Sequence, residues 1–284
     1  MTVPRTALLL ALGITLGVPR GLSAQALPQP GSPDPETLRV LPIHGSVWLE
    51  ELTWLEVRDL MRAGHRTVII PTGGIEQNGP YLALGKHNII LRVTMDALAR
   101  ELGDALVAPV VPFVPEGDFH PPTSHMRYPG TVGVTPETFR ALVTDIARGM
   151  KTHGFARVIL LGEHGSTQVE LASVEAALRA EWKGSGTEIA FIPEYYDNPR
   201  WNAWIAEQGV HEELEGLHDD VRHSSLMMLV DTAYVRAGPR MQAGLFHING
   251  VELAPVERTL DLARRLAAYQ AKVTADAIRA RIGG

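Results

Sequence analysis

The chain reads as an α/β protein, a three-layer α/β/α sandwich around a mostly parallel central sheet. Two observations carry that reading. Short β-branched runs alternate with amphipathic stretches of about a dozen residues or more, the length that a crossover between parallel strands needs. The 284 residues are 45% apolar, enough chain to bury a core that covers both faces of such a sheet.

The elements follow in order. Residues 52–63 pattern as a helix, and 67–70 as a buried strand stopped by Pro71, Gly73 and Gly74. A helix over 89–102, a strand over 106–111 and a helix over 135–153 come next. Thr135 is the cap of that last helix, with Pro136 at its first position and Glu137 in its first turn. Residues 157–161 form the next strand, followed by a helix over 168–182, a strand over 188–192 and a long closing helix over 255–282. Ahead of these lie two segments of another kind. In residues 1–26, Arg5 opens an apolar run and Ala24-Gln25-Ala26 offers small residues for cleavage, the pattern of an export signal. The run is shorter than the roughly 20 residues of a membrane span. Residues 27–37 carry four prolines and read as an extended leader, leaving 38–284 as a single domain. The expected protein is exported, periplasmic or secreted, with no membrane segment after signal cleavage.

Composition narrows the chemistry. The absence of cysteine excludes a disulfide scaffold, thiolate metal sites and cysteine nucleophiles, so any metal must sit on imidazole and carboxylate. A formal charge of −6 argues against nucleic acid or an anionic membrane as the main partner. A small molecule is the expected one. Open sheets of this kind bind ligands beyond the carboxyl ends of their strands, where two polar, glycine-flanked segments lie here, residues 71–88 and 162–168.

These segments carry a resemblance. Thr53-Trp54-Leu55-Glu56-Val57, the stretch 71–87, Ser124-His125-Met126-Arg127-Tyr128-Pro129-Gly130-Thr131, and Gly154-Phe155 leading into 162–167 resemble the creatininase (creatinine amidohydrolase) family in order and spacing. Weaker similarity runs from His218 to Met228, and the whole covers most of residues 49–250. The resemblance implies a creatininase-like fold and a metal-dependent amidohydrolase. Such enzymes commonly hold two divalent ions, act on cyclic amides and related C–N bonds, and often assemble as hexamers. This chain looks like a divergent, exported member.

The departures are coordinated. Glu76 keeps the glutamate of the family's first motif, whereas Asn78 stands where the family has a ligand histidine and His87 where it has a bridging aspartate. His164 keeps the histidine of the third motif, with Ser166 where the archetypal enzymes place a carboxylate. In the last motif His218 matches and His223 replaces a glutamate. The resemblance therefore implies one metal site of Glu76, His87 and His164, a two-histidine, one-carboxylate set of the kind catalytic zinc uses. An amide and a hydroxyl hold such ions weakly, and one neutral imidazole nitrogen cannot bridge two of them. One divalent ion is expected, zinc first, with manganese or iron as alternatives.

The remaining roles follow from the same resemblance. His218 is the candidate for passing a proton to the leaving nitrogen, helped by Glu163 or His223. Glu163 reads equally as an orienting residue, a base or a solvated side chain, and His223 as a fourth ligand or a base. Asp219 and Asp220 read as solvated loop charges. His125 shapes the pocket beside the Pro129-Gly130 turn, and Asn78, Ser166 and Trp201 complete the expected substrate-binding set. Trp201 belongs to an aromatic cluster over 195–204 that reads as pocket wall, subunit contact or lid-like loop. The expected function is hydrolysis of a small amide C–N bond, cyclic amides among the options, through a metal-activated water, in a homo-oligomer. The alternative is a non-catalytic creatininase-fold protein used for ligand binding or assembly.

Overall fold

The computed structural model describes residue 31 and residues 33–282. The expected export signal lies outside the described residues, as does the first part of the proline-rich leader. The chain divides into two units, residues 1–38 and 39–284. In the first, the Asp34 side chain accepts from the Glu36 N–H at 2.8 Å while its carbonyl accepts from Thr37, a turn that aspartate builds from its own backbone.

The second unit is built on four parallel strands in the order β2-β1-β3-β4: β1 (Thr67–Thr72), β2 (Ala105–Val107), β3 (Arg157–Gly162) and β4 (Glu188–Phe191). Within β1 and β3 nearly every side chain is buried, yet the two faces still alternate. Val68, Ile70, Val158 and Leu160 pack with Phe139, Val143, Leu171 and Val174 from α3 (Pro136–Thr152) and α4 (Thr167–Glu181), beside α1 (Trp54–Arg62). Ile69, Ile159 and Leu161 face the other way, against Leu91, Met95 and Leu98 of α2 (Lys86–Leu102) and Ala271, Ala275 and Ile278 of α8 (Val256–Ile282). This period of two, inside fully apolar runs, makes the three layers. A third apolar cluster joins α2 and α8 to α6 (Val221–Val230), with Ile205 of α5 (Asn198–Glu207) and Ile248 of the short β5 (His247–Ile248) and β6 (Val251–Glu252) hairpin. The six-residue α7 (Ala237–Gln242) precedes that hairpin.

Local chemistry sets the ends of the helices. Thr53 accepts from the Glu56 N–H while the Glu56 carboxylate accepts from the Thr53 N–H at 2.7 Å, a reciprocal cap on α1. Hydrogen bonds from the backbones of Thr53 and His44 hold the Glu56 carboxyl at about 2. Thr135 caps α3 as expected.

Three boundaries differ most from the sequence reading. The first strand, expected to stop at Pro71, runs through it to Thr72. The strand expected over 106–111 ends at Val107: Ala108 still donates to Ile69, but Pro109 has no N–H, and Val111 returns only as a single bridge to Thr72. The second helix begins three residues before 89, with Gly85 as its cap, which brings Lys86 and His87 into its first turn. No helix among the described residues is long and apolar enough to cross a membrane.

Register and crossover direction together place the site. Thr72 pairs with Gly162 at the carboxyl ends of β1 and β3, and the Glu163 N–H donates to the Thr72 carbonyl at 3.0 Å. The chain leaves β1 through α2 on one face and reaches β3 through α3 on the other. The crevice between these two strands is thus a topological switch point, where open α/β sheets hold their ligands.

Candidate metal centre

Glu76 stands at the middle of this crevice, buried on the loop after β1, and its two carboxylate oxygens look in different directions. Oε2 lies 2.7 Å from His164 Nε2 and 3.1 Å from His125 Nε2. Oε1 lies 2.8 Å from His87 Nε2, 3.3 Å from Lys86 Nζ and 3.5 Å from His218 Nε2. Burial opposes ionisation of Glu76, but His164, His87 and Lys86 outweigh it and hold the carboxyl well below its ordinary range.

Among the described residues two donor groups result, each with its ligand atoms within 4.8 Å of one another: Glu76, Glu116, His125 and His164; and His87, Glu163 and His223. Glu116 was not anticipated. It comes from the long loop between β2 and α3, where its carbonyl accepts from the His125 N–H at 3.1 Å and so ties the two together. Gly117 is needed beside it, because at φ +126 an added Cβ would stand 2.3 Å from the Thr123 carbonyl oxygen. The Glu116 carboxylate is 2% exposed, 3.2 Å from His164 Nε2, and neither oxygen receives a hydrogen bond. Burial raises its pKa. Two buried carboxylates that share one imidazole are costly unless a cation completes them, His164 when protonated or an ion in its place. Two carboxylates and two imidazoles also form a donor set suited to a divalent first-row ion, so the residues present fit a metal.

The sequence-derived candidates are all in or near this crevice, in differing roles. His87 is buried and held at about 3, chiefly by desolvation. Its neutral ring donates from Nε2 to Glu76, so it buttresses that carboxylate and falls in the group with Glu163 and His223. Ser166 lies behind His164, its Oγ 2.7 Å from Nδ1, where it orients the imidazole. Asn78 turns its amide nitrogen onto the carbonyls of Glu76 and Ala83, both at 3.0 Å, and clamps its own loop. His218 has φ +60, a conformation that ordinary side chains seldom adopt, and its ring stacks on His125 with centroids 4.7 Å apart. Its Nδ1 lies 2.7 Å from the Gln77 carbonyl, and burial lowers its pKa, so the neutral ring donates from Nδ1 and leaves the Nε2 lone pair without a hydrogen bond, 3.5 Å from Glu76 Oε1.

Three expectations require correction. Glu163 is fully buried, which removes the solvated reading; its carboxylate is taken by Arg222 at 3.0 and 3.3 Å. Asp220 is not a free loop charge: it caps α6 by accepting from the His223 N–H at 2.7 Å and also binds His223 Nδ1. Trp201 is fully buried, with its indole N–H satisfied by the Tyr195 carbonyl and its ring edge-on to Tyr269; the aromatic residue on the cavity wall is Tyr196. The cavity itself measures about 380 Å³ and is lined by Glu76, Lys86, His125, His164 and His218 among others, with a second depression sharing His125 and His218. That volume suits a small molecule.

A parallel sheet with imidazoles and carboxylates converging at its switch point defines the chain as a metal-competent α/β enzyme. It belongs to the creatininase family: the family model, described as creatinine amidohydrolase, matches residues 50–261. The chain is accordingly a hydrolase, and the metal such enzymes bind has candidate His and Glu ligands here. The mycofactocin precursor peptide peptidase of Mycolicibacterium smegmatis is 27% identical over 62% of this chain and 68% of its own length. The creatinine amidohydrolase of Pseudomonas putida is 27% identical over 47% of this chain and about half, 51%, of its own length. A solved structure described as a manganese creatininase superposes with a TM-score of 0.60 at 21% identity, covering 84% of this chain and 100% of that one, a likeness of fold.

Proposed function

We propose that this chain is a one-metal amidohydrolase that cleaves a small amide C–N bond, cyclic amides among the options, with the ion held by Glu76, Glu116, His125 and His164. The observation that carries this reading is the buried Glu116 carboxylate, which has no hydrogen-bond donor of its own and only shares the His164 ring, at 3.2 Å, with Glu76. A divalent ion held there would polarise the substrate carbonyl and bring the pKa of a water toward about 7.

The chain's own residues do the rest. Hydrolysis forms a bond from water oxygen to the carbonyl carbon and breaks the C–N bond, so the departing nitrogen must gain a proton. His218 is the group for that transfer, taking the proton the water loses and passing it to the nitrogen: its Nδ1 is fixed on Gln77, its Nε2 lines the cavity 3.5 Å from Glu76, and its lowered pKa keeps it a proton acceptor near neutral pH. Lys86, 3% exposed and 3.3 Å from Glu76, supplies positive charge to the same wall where the carbonyl oxygen gathers negative charge. His87 and Ser166 hold Glu76 and His164 in place from behind. Zinc is the first choice of ion, with manganese or iron next. Export, from the pattern of residues 1–26, and assembly into a homo-oligomer belong to the same reading; cell fractionation and light scattering test them.

The test of function pairs metal analysis with turnover. Purified protein should carry metal, Glu116→Gln and His164→Ala should lose it, and hydrolysis across a panel of lactams, cyclic ureas and short peptide amides should be metal-dependent. Metal content unchanged in both variants, or hydrolysis indifferent to a chelator, defeats the reading.

A further inference from the structure

The second donor group, His87, Glu163 and His223, already contains a cation. Arg222 is 1% exposed and lies on α6 with its guanidinium among these residues. Its Nη2 donates to both Glu163 oxygens, at 3.0 and 3.3 Å, and its Nη1 donates to His223 Nε2 at 2.9 Å and to Asn198 Oδ1 at 3.3 Å. The Gln270 side-chain oxygen on α8, in the orientation that satisfies both partners, takes Nε at 3.2 Å and Nη2 at 3.0 Å. Each of its three nitrogens is therefore engaged, by its neighbour on α6 and by residues from three other segments of the fold. Because an arginine can only donate, His223 Nε2 must offer its lone pair to it, with the other ring nitrogen held by Asp220. Two of the group's three donors, the Glu163 oxygens and His223 Nε2, are thus the atoms that hold the guanidinium, while His87 Nδ1 accepts no hydrogen bond.

We propose that Arg222 is a built-in cation that closes the second donor group to metal, so that ion binding is confined to Glu76, Glu116, His125 and His164. The inference deepens the one-metal reading and rests on it for the open group. A guanidinium suits the task because it stays charged at any pH the fold survives and because its planar fork grips a carboxylate with two bonds. A divalent ion entering the group would have to break those bonds and then sit beside the displaced positive charge. Arg222 does not reach the cavity, so it is a positioning residue: it neutralises Glu163 and fixes the ring of His223.

The experiment counts ions per chain after dialysis against excess Zn(II), by elemental analysis, in wild type, Arg222→Met, Arg222→Lys and Arg222→Met/Glu163→Gln. Arg222→Met is expected to bind one ion more than wild type, and the double variant to return to the wild-type count. Arg222→Lys keeps the charge and is expected to keep the wild-type count. A folded Arg222→Met with no gain overturns the proposal, as does a wild-type protein that takes up a second ion lost on Glu163→Gln. If Arg222→Met does not fold, the Mn(II)-loaded wild type decides: a magnetically isolated ion in its electron paramagnetic resonance spectrum supports the proposal, and an exchange-coupled pair overturns it. Failure of the one-metal reading shows differently, as wild-type protein without metal or metal content unmoved by Glu116→Gln and His164→Ala.

Discussion

Loading an ion into the four-donor group must displace a proton from His164, which makes ion affinity climb with pH. In the ion-free protein burial works against a charged ring, but Glu116 at 3.2 Å and Glu76 at 2.7 Å outweigh it and raise His164 from 6.5 to about 9. A ligand imidazole must be neutral. At pH 7 removing that proton lowers the apparent affinity by ~100-fold, roughly 2.7 kcal/mol. The sign is definite: the competing proton is present below the raised pKa and leaves as pH rises through it. The logarithm of the zinc association constant should therefore increase by ~1 per pH unit through neutrality and level off near the His164 pKa, whereas an unperturbed imidazole would level off near pH ~6.5. Glu116→Gln removes one of the carboxylates that raise His164, so the break moves to lower pH; the plateau also drops because a donor is gone. Titration calorimetry in two buffers of different ionisation enthalpy counts the protons. Wild type is expected to release about one per zinc near neutral pH, and Glu116→Gln a smaller fraction. An affinity flat between neutrality and the raised pKa, with no proton released, would refute His164 as a ligand.

Three further outcomes test parts of the fold and site. Thr53→Ala removes the reciprocal cap on α1 and should cost about 1 kcal/mol in urea denaturation while leaving metal content unchanged. Gly117→Ala forces a Cβ toward the Thr123 carbonyl at a left-handed φ; a loss of ~1–3 kcal/mol is expected, together with reduced metal content because Glu116 is the next residue. His218→Asn keeps a residue that tolerates φ +60, so fold and metal content should persist while kcat falls ~10²- to 10⁴-fold; unchanged kcat would remove His218 from proton transfer.

Much of the fold was legible because its signals are periodic. The alternating faces of β1 and β3, the Thr135-Pro136 start of α3 and the placement of residues 71–88 and 162–168 at strand ends all follow from local pattern and a topological rule. What stayed hidden has no period. α6 buries Arg222, His223, Ser224 and Ser225 along with Leu226 and Met227, so it has no polar face to announce an amphipathic helix. Glu116 sits in a proline-containing loop, and its significance lies in burial without a donor of its own, a property of packing rather than spacing. His87 illustrates the same limit: position in the motif suggested a ligand beside Glu76 and His164, while the fold sets its Nε2 on Glu76 and places it with Glu163 and His223. Arg222 could have been noticed only as the neighbour of His223, since the other residues that grip it, Glu163, Asn198 and Gln270, are far apart in sequence.

The central claim is that one ion sits among Glu76, Glu116, His125 and His164. Anomalous diffraction at the zinc edge from crystals of zinc-loaded protein tests it most directly. The account expects a single peak per chain within bonding distance of those four side chains, with the Arg222 guanidinium still on Glu163. A peak among His87, Glu163 and His223, or no peak at Glu116, would contradict it.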